Sequence, residues 1–291
     1  MHVQGSSHGA RLPDDRYLFY VRHEGRQNPG TVAVFESGLG GTRSYWAATQ
    51  QLLAGELTTV AYDRAGLGRS SPTQHYSLPH RAADLTALLD HVLRPGQKAI
   101  LVGHSWGGPI IRVAAAARPA RIAGLILVDP TDEACDLYFS KAARRLERLG
   151  LLLSVPMAIT GLNRLGARTF LSRFPDEAAA DMRAEAFTVA AARAYRGELR
   201  TLSRDLASLK QTRPDPEGFV TTIISAAQPS PGINESRVAA LQAAHRVRAE
   251  ATGARHVLAH RSGHLVPLLE PQVIVDEIRR TAETQPTHGT F

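Results

Sequence analysis

Ala99-Ile100-Leu101-Val102-Gly103-His104-Ser105-Trp106-Gly107-Gly108-Pro109-Ile110-Ile111 passes from an apolar run through Gly-x-Ser-x-Gly straight into a helical pattern. The pattern predicts a strand over Lys98 to Val102, a helix over Trp106 to Ala117, and Ser105 on the turn between them. A serine wedged there sits in a strained turn that lifts its hydroxyl clear of the backbone. Gly103 and Gly107 omit the Cβ atoms that would collide across that turn. Gly-x-Ser-x-Gly alone also describes ordinary loop serines, so its weight comes from the strand before it and the helix after it.

Upstream, Thr31-Val32-Ala33-Val34-Phe35 reads as a strand running into Glu36-Ser37-Gly38-Leu39-Gly40-Gly41, a glycine-rich turn able to aim backbone N–H groups outward. The expected donors to an oxygen becoming negative beside Ser105 are the N–H groups of Leu39 and Trp106. Each such donor is worth roughly 3 kcal/mol to a transition state.

Four segments then carry a likeness that extends over nearly the whole chain. They are Ser37-Gly38-Leu39-Gly40-Gly41, Asp63-Arg64-Ala65-Gly66-Leu67-Gly68-Arg69-Ser70, Gly103 to Gly108, and Ser262-Gly263-His264 with Pro271. In turn they resemble the His-Gly-type oxyanion loop, the strand-end Asp-x-x-Gly-x-Gly-x-Ser turn, the nucleophile elbow and the catalytic-histidine segment of the α/β-hydrolase superfamily. One departure is that Ser37 stands where many members carry histidine, which keeps the backbone donors but leaves open what side chain supports the loop. The resemblance implies an α/β fold with a mostly parallel central sheet flanked by helices, and a helical cap inserted after the strand ending at Asp129. The Asp63 turn reads as structural, with Arg64 able to reach a pocket mouth.

Of the 12 histidines, His264 is the expected base. It follows a strand expected over His256 to Ala259 and a small-residue turn, and precedes the helix start Glu270-Pro271. In the superfamily's order Ser, acid, His, this turn is where the imidazole reaches the serine. His260 is its rival at the strand end, His104 is read as support for the elbow, and His75, His80, His91 and His245 as surface or helix-face residues.

The acid is less direct, because the usual family position falls within Val220 to Pro229 and holds no carboxylate. Part of the superfamily, including some haloalkane dehalogenases, instead carries the acid at the end of the strand after the elbow helix. Here the strand Ile122 to Val128 ends in Asp129-Pro130-Thr131-Asp132-Glu133, which makes Asp129 the leading candidate, Asp132 the alternative, and Glu133 or Glu235 the remainder. Asp129 would fix the tautomer of His264 and stabilise its protonated form.

At 291 residues and 43% hydrophobic content, the chain can bury a full core as one domain with an insertion. Its single cysteine, Cys135, makes no internal disulfide, and residues 1–15 are polar with no apolar leader, so a flexible tail and a cytoplasmic location are expected. The formal charge of +7 comes mostly from arginines interleaved with acids, as in Arg144-Arg145-Leu146-Glu147-Arg148, without the stripe or finger spacing of a nucleic-acid binder. Paired-ligand spacing such as HExxH is absent, so neither metal nor cofactor is expected.

From Thr131 to about Arg213 the strand rhythm gives way to helical patterns, before a strand over Phe219 to Ser225 resumes it. The expected organisation is a tail over 1–15, core over 16–130, cap over 131–213 and core over 214–291. The cap carries Leu149, Leu151, Leu152, Leu153, Val155, Met157, Ile159, Leu162 and Leu165, then Phe170, Leu171 and Phe174. That is too many for one solvent-facing helix and too broken to span a bilayer. Most are expected to glue cap to core; a minority, with Leu39, Trp106 and Val266, would wall an apolar pocket beside Gly38 and Gly40.

These residues suit a serine hydrolase acting on a carboxylic ester, lactone or thioester with a largely apolar part. A serine at the elbow argues against the dehalogenase and epoxide-hydrolase chemistry that the same scaffold runs with an aspartate. Acyl transfer, perhydrolysis or cyclisation on the same acyl-serine, and a non-enzymatic ligand receptor, stay open as alternatives, and oligomeric state is not legible.

Overall fold

The computed structural model describes residues 2–27, 30–165, 167–212, 214 and 218–284. Among them are eight strands: β1 Ser6–Arg11, β2 Tyr17–His23, β3 Thr31–Glu36, β4 Thr58–Tyr62, β5 Lys98–His104, β6 Ile122–Val128, β7 Val220–Ala226 and β8 Arg255–Ala259. They form one sheet in the order β1-β2-β4-β3-β5-β6-β7-β8. The β1–β2 and β2–β4 pairs are antiparallel and all others parallel. The helices are α1 Ala47–Leu52, α2 Leu78–Val92, α3 Gly107–Ala117, α4 Lys141–Thr160, α5 Ala167–Leu171, α6 Asp176–Glu185, α7 Val189–Thr212, α8 Glu235–Thr252, α9 Val266–Leu269 and α10 Pro271–Glu283.

The central strands are apolar runs because both faces are covered: every residue of β3, β4 and β6 is buried. Alternate side chains enter two cores. Val34, Leu101 and Leu125 meet α2 and α3 on one face, while Phe35, Val102 and Ile126 meet Trp46 and α10 on the other. Parallel order brings the C-terminal ends of β3, β5 and β6 to one edge, where the turns after Glu36, His104 and Val128 converge.

Residues 6–11 are not a frayed tail. They form β1, in register with β2 from Ser6↔Arg22 to Arg11↔Tyr17. Only Ala10 and Leu12 carry apolar burial there, so the segment is held by backbone pairing that a hydrophobicity reading cannot register. Met1, residues 285–291 and Arg213, the expected end of the cap, lie outside the described residues.

Between β6 and β7 the described residues are helices and turns. Leu171 and Phe174 are buried and pack with Ala178, Met182 and Leu268. Contrary to expectation, most of the other apolar side chains there do not glue the segment to the core: α4 has no buried residue at all. Its ends are ordinary nonetheless, with Ser140 Oγ accepting the Ala143 N–H at 3.1 Å and Gly161 at φ 77° closing the last turn.

Candidate active site

Ser105 lies where β5 gives way to α3, with φ 53°, a left-handed backbone that a side-chain-bearing residue adopts at a cost of about 1–3 kcal/mol. The packing that enforces it is tight: a Cβ on Gly103 would sit 2.6 Å from the Gly107 carbonyl oxygen, and one on Gly107 would sit 2.5 Å from that of Glu36. The serine is thereby pinned against the end of β3. Asp129, at the end of β6, is likewise left-handed at φ 42°.

These two turns and the loop after β8 bring three side chains together. His264 Nδ1 lies 2.6 Å from Asp129 Oδ2, and His264 Nε2 lies 3.0 Å from Ser105 Oγ. Burial raises the Asp129 carboxyl, but the hydrogen bond and charge of His264, the charge of His245 and the Ala226 N–H outweigh it and hold the group at about 2. An ionised carboxylate only accepts, so His264 carries its proton on Nδ1 and offers a bare Nε2 to the Ser105 hydroxyl. The Ala226 N–H, 3.0 Å from Asp129 Oδ1, fixes the second carboxylate oxygen; no side-chain motif advertised it.

The other candidate acids go elsewhere. Asp132 is fully buried against Arg248, at 2.5 and 2.8 Å, and Glu133 accepts a two-point contact from Arg112, at 2.8 Å each. Glu235 is exposed as the first residue of α8. His260 is exposed on the surface, as are His75, His80 and His91. His245, by contrast, is completely buried on the inner side of α8, lying 2.8 Å from Ser225 Oγ and donating to the Pro130 carbonyl at 2.9 Å.

His104 donates from Nε2 to the backbone oxygen of His264 at 2.7 Å, and its ring lies 4.8 Å from the His264 ring. Burial, with the neighbouring His264 charge, pushes it down to about 3. Between its ordinary 6.5 and that value the unfolded chain binds a proton that the folded chain refuses, so acidification costs stability across this window. Asp129 adds a loss in the same direction as pH falls from 3.8 to about 2. Urea midpoints are expected to fall steadily as pH drops below 6.5, and His104→Gln is expected to flatten the upper part of that decline.

Above Ser105 lies the glycine loop. A Cβ on Gly38 would stand 3.2 Å from Ser105 Cβ, which places the loop against the serine. Within it the Gly41 N–H is spent on the Gly38 carbonyl at 3.0 Å and the Gly40 N–H on Glu198 Oε2 at 2.8 Å. The N–H groups of Leu39 and Trp106 engage no protein acceptor among the described residues. The side chains of Trp106 and Val266, expected as pocket walls, are buried within the two cores instead, because α3 and α9 turn them inward.

What supports the loop is now visible. Ser37 Oγ donates to the Thr42 carbonyl at 2.9 Å and accepts from Trp46 Nε1 at 3.0 Å. Arg64 does not reach a pocket mouth; it lies buried beneath the loop and donates to the Ser37 and Gly38 carbonyls, both at 2.6 Å. Its charge is met by Glu36 at 2.5 Å and by Glu198 of α7 at 2.7 and 3.0 Å. Arg81 stands 3.0 Å from the same Glu198. Glu198 was missed from sequence; it is one of two acids, with Asp205, on a buried face of α7 that also holds Ala191, Ala194 and Leu199. Removing one partner of a buried ionic cluster costs about 3–5 kcal/mol. Glu198→Ala is therefore expected to lower the urea-unfolding free energy by that amount, and Glu198→Gln by less because an amide oxygen still accepts the Gly40 N–H.

No group of three or more metal-ligating side chains occurs among the described residues, and no helix there is long and apolar enough to cross a membrane.

A model of the alpha/beta hydrolase family matches residues 33–277. RutD of Pseudomonas syringae pv. syringae, named as a candidate carbamate hydrolase, is 33% identical over 114 residues, or 38% of this chain and 43% of that protein. The chain thus matches less than half the length of that relative. In fold it is similar to the Cif epoxide hydrolase of Acinetobacter nosocomialis, with a TM-score of 0.72 and 16% identity over 95% of this chain and 88% of the other. It is also similar to a candidate alpha/beta hydrolase of Nostoc sp PCC 7120, with a TM-score of 0.73 and 18% identity over 98% and 100% of the two chains.

Proposed function

Because this chain belongs to the alpha/beta hydrolase family, we propose that it is a serine hydrolase cleaving a carboxylic ester, lactone or thioester with a largely apolar moiety. The observation that carries the reading is the unbroken relay from Asp129 through His264 to Ser105, at 2.6 and 3.0 Å. In this reading the helices between β6 and β7 are a cap that covers the serine's edge of the sheet.

As Ser105 Oγ bonds to the carbonyl carbon, its proton passes to His264 Nε2, and the imidazolium so formed is stabilised by Asp129. The carbonyl oxygen takes the electron pair and is received by the N–H groups of Leu39 and Trp106. Collapse expels the alcohol or thiol, which takes the proton from Nε2 and leaves an acyl-serine. Water, deprotonated by Nε2, then attacks that ester, and the acid departs as the Ser105 proton returns. A carbamate presents the same trigonal carbon, so the RutD likeness adds carbamates to the substrates worth testing. An alcohol or amine in place of water would make the same site an acyltransferase.

The test pairs a fluorophosphonate probe with aryl esters of short and long acyl chains and a carbamate of the same leaving group. The expected result is a single labelled peptide containing Ser105, with ester turnover lost in proportion to labelling. Labelling elsewhere, or turnover that survives full labelling, would sink the proposal.

A further inference from the structure

The segment 141–173 is unlike the rest of the surface in two independent ways. Among the described residues, eight of the twelve exposed large apolar side chains lie between Leu146 and Leu165, with Leu152 67%, Ile159 68% and Leu165 75% exposed. The same segment holds Lys141, Arg144, Arg145, Arg148, Arg164, Arg168 and Arg173 against a single acid, Glu147, so it carries +6 of the chain's formal +7. None of these seven cations makes an ion pair or a side-chain hydrogen bond among the described residues. Buried arginines such as Arg43, Arg64 and Arg112 are by contrast ion-paired. Glu147, the segment's one acid, accepts from Ser203 Oγ at 2.5 Å and pairs with none of these cations.

The chemistry selects the occupant. A 20-residue helix with no buried side chain offers a convex apolar ridge about 30 Å long, with cationic groups among and beyond its leucines. Arg164, Arg168 and Arg183 further surround an open cavity of about 470 Å³ floored by Leu171 and Phe187. Burying the ridge against a second copy through a two-fold axis would crowd two sets of unpaired cations together. A fluid anionic surface accepts aliphatic side chains to a shallow depth and supplies a phosphate for every guanidinium.

We propose that the segment 141–173 is a peripheral docking surface for a bilayer rich in anionic phospholipid, with α4 lying in the interfacial plane. Leu146, Leu152, Ile159 and Leu165 enter the acyl boundary, and Arg145, Arg148, Arg164 and Arg168 meet headgroup phosphates. The proposal is independent of the serine chemistry.

The experiment is co-sedimentation of the full chain with phosphatidylcholine vesicles, with and without phosphatidylglycerol, beside light scattering of the protein alone. Binding is expected only to the anionic vesicles, declining with added salt. Both Leu152→Glu/Ile159→Glu and Arg145→Gln/Arg148→Gln are expected to weaken it by about tenfold or more, with unchanged thermal midpoint. Equal binding to neutral vesicles, or full binding by either double variant, would overturn the assignment. So would a dimer in light scattering that Leu152→Glu/Ile159→Glu dissolves, which would assign the ridge to a second copy. Retention by polyglutamate as strong as by vesicles and indifferent to Leu152→Glu/Ile159→Glu would reduce the segment to a charge patch for acidic protein, and would also overturn it.

Discussion

Ser105→Ala is expected to lower turnover by about 10⁶-fold, leaving only the residual rate that oriented binding and the oxyanion donors supply. In the proposed relay Ser105 and His264 act as a unit, so His264→Ala and the double variant should fall to the same floor instead of multiplying. Stability should move the other way. Ser105 holds φ 53° with a side chain attached, and Ser105→Gly relieves that strain by about 1 kcal/mol or more while removing the proposed nucleophile. An inactive variant that melts above the parent, by calorimetry, would show that the elbow stores strain for the reaction. A glycine variant retaining turnover would place the chemistry elsewhere.

Asp129→Asn is expected to cost about 10⁴-fold in turnover with the fold intact. The amide can still sit 2.6 Å from His264 Nδ1, but it can offer its N–H there and turn the imidazole to the tautomer that carries its proton on Nε2. The ring then no longer presents a lone pair to the Ser105 hydroxyl. Asp132→Asn supplies the contrast: its partner is Arg248, which Glu133 also contacts at 2.8 Å, so turnover should stay within a few-fold of the parent while urea stability falls by about 1–3 kcal/mol. Steady-state kinetics on one activated ester separates the two outcomes. Equal losses from both variants would mean that the carboxylates act through the fold and not through the histidine.

The strands nearest the site were the most legible part of the chain. The expected β3, β5 and β6 differ from the observed strands by no more than their last residues, because strands buried on both faces must be apolar throughout and end at glycine or a charge. Residues 6–11 failed the same test, since an edge strand with one buried alanine carries no such mark. His245 failed for a related reason. A histidine amid alanines and arginines on a helix looks exposed until a sheet serine and a turn carbonyl from distant segments are placed against both of its nitrogens.

The apolar helical segment shows the limit of hydrophobicity as a guide. Its leucines were expected to be covered, yet periodicity records only that a face is apolar and not what lies opposite it. Leu171 and Phe174 found Met182 and Leu268, whereas Leu152 and Ile159 found solvent, and nothing in their spacing separates the two pairs.

The primary structure alone determined the strained serine turn and the glycine loop facing it. Both follow from steric demands on neighbouring residues, and a missing Cβ can be read wherever it occurs. Tertiary structure decided which carboxylate between 129 and 133 meets the imidazole. Arg112 and Arg248, arriving from α3 and α8, neutralise Asp132 and Glu133 and leave Asp129 to His264. It also decided that Glu198 anchors the loop from more than 150 positions away. Such pairings depend on which distant segments share a space of a few ångströms, and a charge's partner is set by that proximity, to which local sequence is blind.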